Sequence, residues 1–152
     1  MQARTAMTRD VICVNPEDTL ADAHLIMEQW RIRHLPVVAV AGSRLLVGIL
    51  SDRDVLRHAQ LHEGRLSVPR LPVAQVMTAA PLTCAASSTV SHVAGLMLDH
   101  HIDAVPVVAA DGELVGLITS SDLIELLRDH DEKEGKILPF SFNVRVETRA
   151  AA

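Results

Sequence analysis

The sequence predicts a mixed α/β (α+β) fold assembled from two β-α-β-β-α units that pack as one module. Three observations predict it. First, the 152-residue chain repeats itself: a shift of 70 aligns Met7-Thr8 with Met77-Thr78, Thr19 with Thr89, Met27 with Met97, Ile32 with Ile102, and Pro36-Val37-Val38-Ala39 with Pro106-Val107-Val108-Ala109. Past Gly42 and Gly112 the shift drops to 68, aligning Leu46-Val47-Gly48 with Leu114-Val115-Gly116 and Asp54 with Asp122, so the second copy has two residues fewer in a turn. Second, each copy mixes strand-like apolar runs with segments of helical period. Third, the strand runs are continuously apolar rather than alternating, which puts the sheets under cover on both faces.

Each copy opens on a short extended stretch, residues 11–14 or 82–84. A threonine follows, then a helix whose apolar positions are Leu20, Ala23, Met27 and Trp30, or Val90, Val93, Ala94 and Met97. Thr19 with Asp22 resembles a capping box. Two strand runs come next, 35–40 with 46–50 and 105–108 with 114–119, joined through Gly42 and through Asp111-Gly112 as hairpins. A second helix starts near Ser51 and near Ser120. Residues 63–73 hold Gly64, Pro69 and Pro72, which end that helix and link the copies. The chain thus divides into repeat 1 (1–62), a linker (63–73), repeat 2 (74–128) and an extension (129–152) with an isolated strand-like run at 137–146, whose role is open. Neither unit is large enough to support a core alone.

Composition narrows the function. Aromatic residues are only Trp30, Phe140 and Phe142, which argues against stacking platforms for single-stranded nucleic acid. A net charge of −5 disfavours nucleic acid and anionic membrane alike. The charge is uneven: residues 1–70 carry nine Arg and eight acids, whereas residues 71–127 carry six acids and no Lys or Arg. An anionic ligand must draw its cations from the first copy. Two cysteines, no signal-peptide pattern and no apolar run of the roughly 18–20 residues that span a bilayer lead us to expect a reduced, cytoplasmic protein.

Directly after the second hairpin strand each copy carries a glycine, a hydroxyl residue and an aspartate at fixed spacing: Gly48-Ile-Leu-Ser51-Asp-Arg-Asp54 and Gly116-Leu-Ile-Thr119-Ser-Ser-Asp122. On one reading the hydroxyl and carboxylate only cap the next helix and the glycine only permits close strand packing. On the other, a carboxylate at a strand-to-helix turn accepts hydrogen bonds from a vicinal diol such as ribose, while the hydroxyl reaches the sugar or a phosphate. The two roles are compatible.

The repeat length, the element order, the starts Ala6-Met7-Thr8 and Val76-Met77-Thr78, the strands His34-Leu35-Pro36-Val37-Val38 and Ala104-Val105-Pro106-Val107-Val108, and both Gly-x-x-Ser/Thr-x-x-Asp turns resemble the tandem cystathionine-β-synthase (CBS) domain pair, or Bateman module, over residues 5–128. That resemblance implies two pseudo-twofold related repeats and regulatory binding of adenosine-containing ligands (AMP, ADP, ATP or S-adenosylmethionine) in two clefts, with no catalysis. By position, the preferred site combines Gly116, Thr119 and Asp122 with Thr8, Ile12, Arg33, His34, Leu35 and Pro36. The second combines Gly48, Ser51, Arg53 and Asp54 with Thr78, Leu82, Ala104, Val105 and Pro106. Arg33 and His34, with Arg31 nearby, suit a phosphate at the first site. At the second, Asp103 approaches as an unpaired acid, so that site is expected to be empty, weaker, or suited to a neutral or cationic adenosyl group. Aliphatic walls can hold adenine without aromatic rings.

The same resemblance implies a homodimer, and a chain with no attached catalytic domain implies a separate effector protein. A constitutive interaction scaffold, its turns serving only as caps, is the alternative. His58 and His62 at i, i+4 on the expected second helix, or His100-His101, make incomplete metal sites, and no metal is expected. Cys13 and Cys84 sit at strand positions offset by one residue and read as buried packing, with no partner histidine in a nucleophile motif. Walker A and Rossmann glycine patterns are absent. Trp30, replaced by His100 in the second copy, is expected in core or dimer packing, or as an interface anchor.

Overall fold

The computed structural model describes residues 1–134 apart from Ala41; the expected strand at 137–146 lies outside the described residues. The chain opens with one helical turn, α1 (Ala3–Ala6), and reaches α2 (Leu20–Trp30). Thr19 starts α2 by accepting a hydrogen bond from the Asp22 N–H at 3.1 Å, and Leu20, Ala23 and Met27 form its buried stripe. Arg31 stops the helix in the left-handed conformation, φ 53°. The strands β1 (His34–Val38) and β2 (Leu46–Ser51) pair antiparallel from His34 opposite Ser51, and Gly42 supplies the positive φ, 78°, that their turn requires. Then come α3 (Asp52–His58), a ribbon of β3 (Gln60–His62) and β4 (Arg65–Ser67), a 3₁₀ turn at Val73–Gln75, and β5 (Thr78–Ala79). The second copy follows as β6 (Cys84–Ala85), α4 (Val90–His100), β7 (Ala104–Val108), β8 (Leu114–Thr119) and α5 (Ser120–Glu134). In β1 and β7 four consecutive residues are buried, as continuous apolar runs require.

Each hairpin is completed on one side by its own copy and on the other by its neighbour. Val14 and β6 bridge in parallel to Val37 and Val107. On the far side, β5 pairs with β2 through Thr78 opposite Ile49, and Thr8 pairs with β8 through Leu117. The copies therefore exchange their opening segments. Two buried clusters result, one containing Val73 from beyond the ribbon and the other containing Ala3 from the start of the chain. The exchange explains both motif glycines: a Cβ on Gly116 would lie 2.5 Å from Met7 Sδ and 3.0 Å from the Thr8 carbonyl oxygen, and a Cβ on Gly48 would lie 2.5 Å from Met77 Sδ.

Several local expectations are corrected. The second helix of repeat 1 ends at His58, so His62 lies in β3 and shares no helix face with it. The expected linker begins as a hairpin, because Glu63 and Gly64 both take positive φ, 49° and 76°, in a two-residue turn between His62 and Arg65. Residues 11–13 form no strand; only Val14 bridges. Trp30 is 58% exposed and belongs to no core of this chain. Cys84 is buried, whereas Cys13 is half-buried, its thiol pKa raised by burial against the opposing Arg44 charge. No helix among the described residues is long and apolar enough to cross a membrane.

Candidate functional site

The exchange creates two clefts, each walled by both copies. The first, about 280 Å³, brings Thr8, Ile12, Arg33 and His34 together with Thr119 and Asp122. Asp122 Oδ2 accepts hydrogen bonds from the Thr119 N–H and hydroxyl, both at 2.7 Å, and Thr119 Oγ1 accepts from the Asp122 N–H at 3.4 Å. The cap is real. It spends the only proton of the Thr119 hydroxyl, which is left able to accept but not to donate. That corrects its expected reach to a phosphate; it can still accept from a sugar hydroxyl. Asp122 Oδ1 has no hydrogen-bond partner among the described residues and is free to accept one. Val11, Ile12, Ile32 and Leu117 supply an aliphatic wall.

The second cleft, about 270 Å³, gathers Ser51, Arg53, Asp54, Thr78 and Ala104. Asp54 Oδ2 accepts from the Ser51 N–H at 2.9 Å and hydroxyl at 2.7 Å, completing a capping box. Here the other oxygen, Oδ1, lies 3.8 Å from Arg57. Asp103 lies 3.6 Å from Arg53 and is therefore not the unpaired acid expected from the sequence. Counting along the chain could not show that residues 50 positions apart meet in space.

The sequence-based ranking by charge loses its basis. Cleft one is lined by Arg31 and Arg33 against Asp10 and Asp122, and cleft two by Arg33, Arg53 and Arg57 against Asp52, Asp54 and Asp103. Each balances to zero with neutral histidine. His34 is not the expected cation either: burial pushes its pKa below the ordinary 6.5, outweighing Asp52 and Asp103, so it is neutral at pH 7 and offers one donor and one acceptor. Arg33 and His34 line both clefts.

Some expected residues do not reach either cleft. Leu35, Pro36, Val105 and Pro106 are fully buried inside the hairpins. Gly48 and Gly116 are buried under the exchanged methionines. Leu82 is 42% exposed and lines neither cleft. Sequence reasoning missed Asp10, Val11, Ile32, Leu117 and Ser121 in cleft one, and Ile49, Asp52, Arg57 and Ile102 in cleft two. The spacing of Thr8, Asp10 and Ile12 was a usable signal, since alternate residues of an extended segment share a side. Among the described residues no group of three or more His, Cys, Asp or Glu side chains converges as a metal site.

The CBS-domain family profile matches residues 3–60 and 73–129. The chain belongs to the CBS-domain family. Its likeness to solved CBS pairs extends over most of its length. A Vibrio cholerae protein named for acetoin utilization (AcuB) is 31% identical, with a TM-score of 0.74 over 91% of this chain and 98% of that one. The CBS domain pair of protein MJ0100, solved with 5′-methylthioadenosine and S-adenosyl-L-methionine, is 26% identical, with a TM-score of 0.73 over 86% of this chain and 98% of that one. Inosine-5′-monophosphate dehydrogenase of Korarchaeum cryptofilum is 35% identical over 122 residues, 80% of this chain but 23% of that protein. The chain thus spans under a quarter of that relative's length.

Proposed function

We propose that this CBS pair is a regulatory module that senses adenosine-containing molecules, AMP, ADP, ATP or S-adenosylmethionine, in its inter-repeat clefts and passes their occupancy to a separate effector protein. The observation that carries this reading is the Asp122 carboxylate. One of its oxygens is fixed by the cap, the other has no partner among the described residues, and the residue lines a cleft with aliphatic walls. Such a carboxylate suits a ribose hydroxyl, and Val11, Ile12, Ile32 and Leu117 suit an adenine face. The adenosyl ligands of the MJ0100 pair support the same class.

Cleft one remains the preferred site, now because Asp54 shares its second oxygen with Arg57 while Asp122 does not. Cleft two is the weaker site. A ligand transmits its presence only by binding one arrangement of the repeats more tightly than another. The apolar residues left exposed on the helices, Leu25, Leu56, Leu98, Ile124 and Leu127, supply the face through which two copies form a homodimer.

Calorimetric titration with the four ligands tests the proposal. Wild-type protein binds at least one of them, and Asp122→Ala binds it far more weakly. Silence of all four at about 1 mM, an affinity worth roughly 4 kcal/mol, refutes it and leaves the turns as caps alone.

A further inference from the structure

Outside both clefts, a cavity of about 290 Å³ is lined by Arg9, Val11, Cys13, Ser43 and Arg44 along with hairpin residues. We infer that it is a separate site for a small oxyanion, a free phosphate or pyrophosphate, held between the Arg9 and Arg44 guanidinium groups.

Charge sets this cavity apart. Both clefts balance their charges, whereas this cavity is lined by two arginines and by no acidic residue. Neither arginine forms an ion pair among the described residues. Arg9 is held in place, since its Nη2 donates to the Arg4 carbonyl at 3.0 Å and leaves other N–H groups free. An adjoining cavity, lined by Arg4 and Arg9, extends the basic band. Ser43 Oγ accepts from the Leu45 N–H at 3.1 Å, so its own proton remains available to an anion.

The repeat supplies an internal control. At the equivalent place in the second copy, Arg9 becomes Ala79 and Cys13 becomes Thr83. The turn that carries Ser43 and Arg44 is two residues shorter there and holds Glu113. The first copy's longer turn is anchored rather than trailing, because the Arg44 carbonyl accepts from the Leu114 N–H at 2.7 Å. The site is also physically divided from cleft one. Thr8, Asp10 and Ile12 line the cleft, while Arg9 and Cys13 line the cavity, with Val11 bordering both.

Proton–nitrogen correlation spectra of the full chain, titrated with sodium pyrophosphate at low ionic strength, test the inference. Amides of residues 9–13 and 42–45 shift on one saturable isotherm that weakens with added salt, since both arginines are exposed. Arg44→Gln and Arg9→Gln each weaken it by at least about tenfold, as loss of a charge-assisted anchor requires. Arg31→Gln and Asp122→Asn, which alter cleft one, leave it unchanged, so the result is independent of nucleotide binding. Shifts confined to the cleft residues, no saturable shift, or equal affinity in Arg44→Gln overturn the site.

Discussion

Replacing Asp122 by asparagine separates capping from the proposed ligand binding, because one carboxylate oxygen serves the cap while the other has no partner among the described residues. Oδ2 faces two donors, the Thr119 N–H and hydroxyl, each at 2.7 Å. In Asp122→Asn the amide carbonyl must take that position, since an NH₂ there would oppose the Thr119 N–H. The cap survives, because Thr119 remains the N-cap residue and the asparagine carbonyl still accepts its two hydrogen bonds. Stability should then change by no more than about 0.5 kcal/mol, which moves the melting temperature of a chain this size by roughly 1–2 °C. The amide nitrogen falls where Oδ1 was and cannot accept from a sugar hydroxyl. Hydrogen bonds to charged groups are worth about 1.5–3 kcal/mol, so adenosyl affinity should fall by about 10- to 140-fold. Asp122→Ala loses the cap as well, costing about 1 kcal/mol. Thermal melting read beside calorimetry with AMP resolves the three proteins. Undiminished affinity in Asp122→Asn, or a melting loss equal to that of Asp122→Ala, would refute the division of roles.

Two further outcomes follow from packing and burial. Gly116→Ala forces Met7 and the Thr8 carbonyl away from a pairing whose two backbone hydrogen bonds measure 2.9 and 3.0 Å, and overpacking of this kind costs about 1–3 kcal/mol. Gly95→Ala, where a Cβ meets nothing within 4 Å inside α4, should instead stabilise by up to about 1 kcal/mol; denaturant melts that rank the two variants alike contradict the exchanged packing. His34 titrates below 6.5 in the folded chain because burial disfavours its cation. On acidification the unfolded chain takes up that proton first, so the stability that His34 contributes is complete above about pH 6.5 and is lost as the pH falls through its folded pKa. Comparing melts at about pH 7.5 and about pH 5.5, His34→Gln should lose less stability than wild type; equal losses would remove His34 from the acid response.

The hairpins and caps were legible in the sequence because their causes are local. Continuous apolar runs set β1 and β7, Gly42 and Gly112 set the turns, and a hydroxyl three residues before an aspartate sets the starts of α3 and α5. The ribbon at Glu63-Gly64 was also locally signalled, but Pro69 and Pro72 made the whole segment read as a linker. The charge argument for ranking the clefts lost its basis for a different reason: charge was summed along the chain, whereas Arg53 and Asp103 pair across it. The residues before each proline were placed in the clefts by position, but the prolines and Leu35 and Val105 point into the hairpin cores.

The exchange of opening segments had only an indirect signature, a glycine repeated opposite a repeated Met-Thr, and it is the feature that links fold to function. Thr8 holds β8 by bonding in both directions to Leu117, and both residues also line cleft one. The wall of the cleft is therefore the joint between the copies. A molecule that touches Thr8, Ile12 and His34 on one side and Thr119 and Asp122 on the other cannot bind without fixing how the copies sit at that joint. A single copy has neither a complete cleft nor a complete core, because Ala3 of the first copy completes the second copy's cluster and Val73, just ahead of the second copy, completes the first's. Occupancy and inter-repeat geometry are thus one equilibrium, and any partner that distinguishes two settings of the joint must, by linkage, alter the affinity of the cleft by the same factor that the ligand alters the partner's.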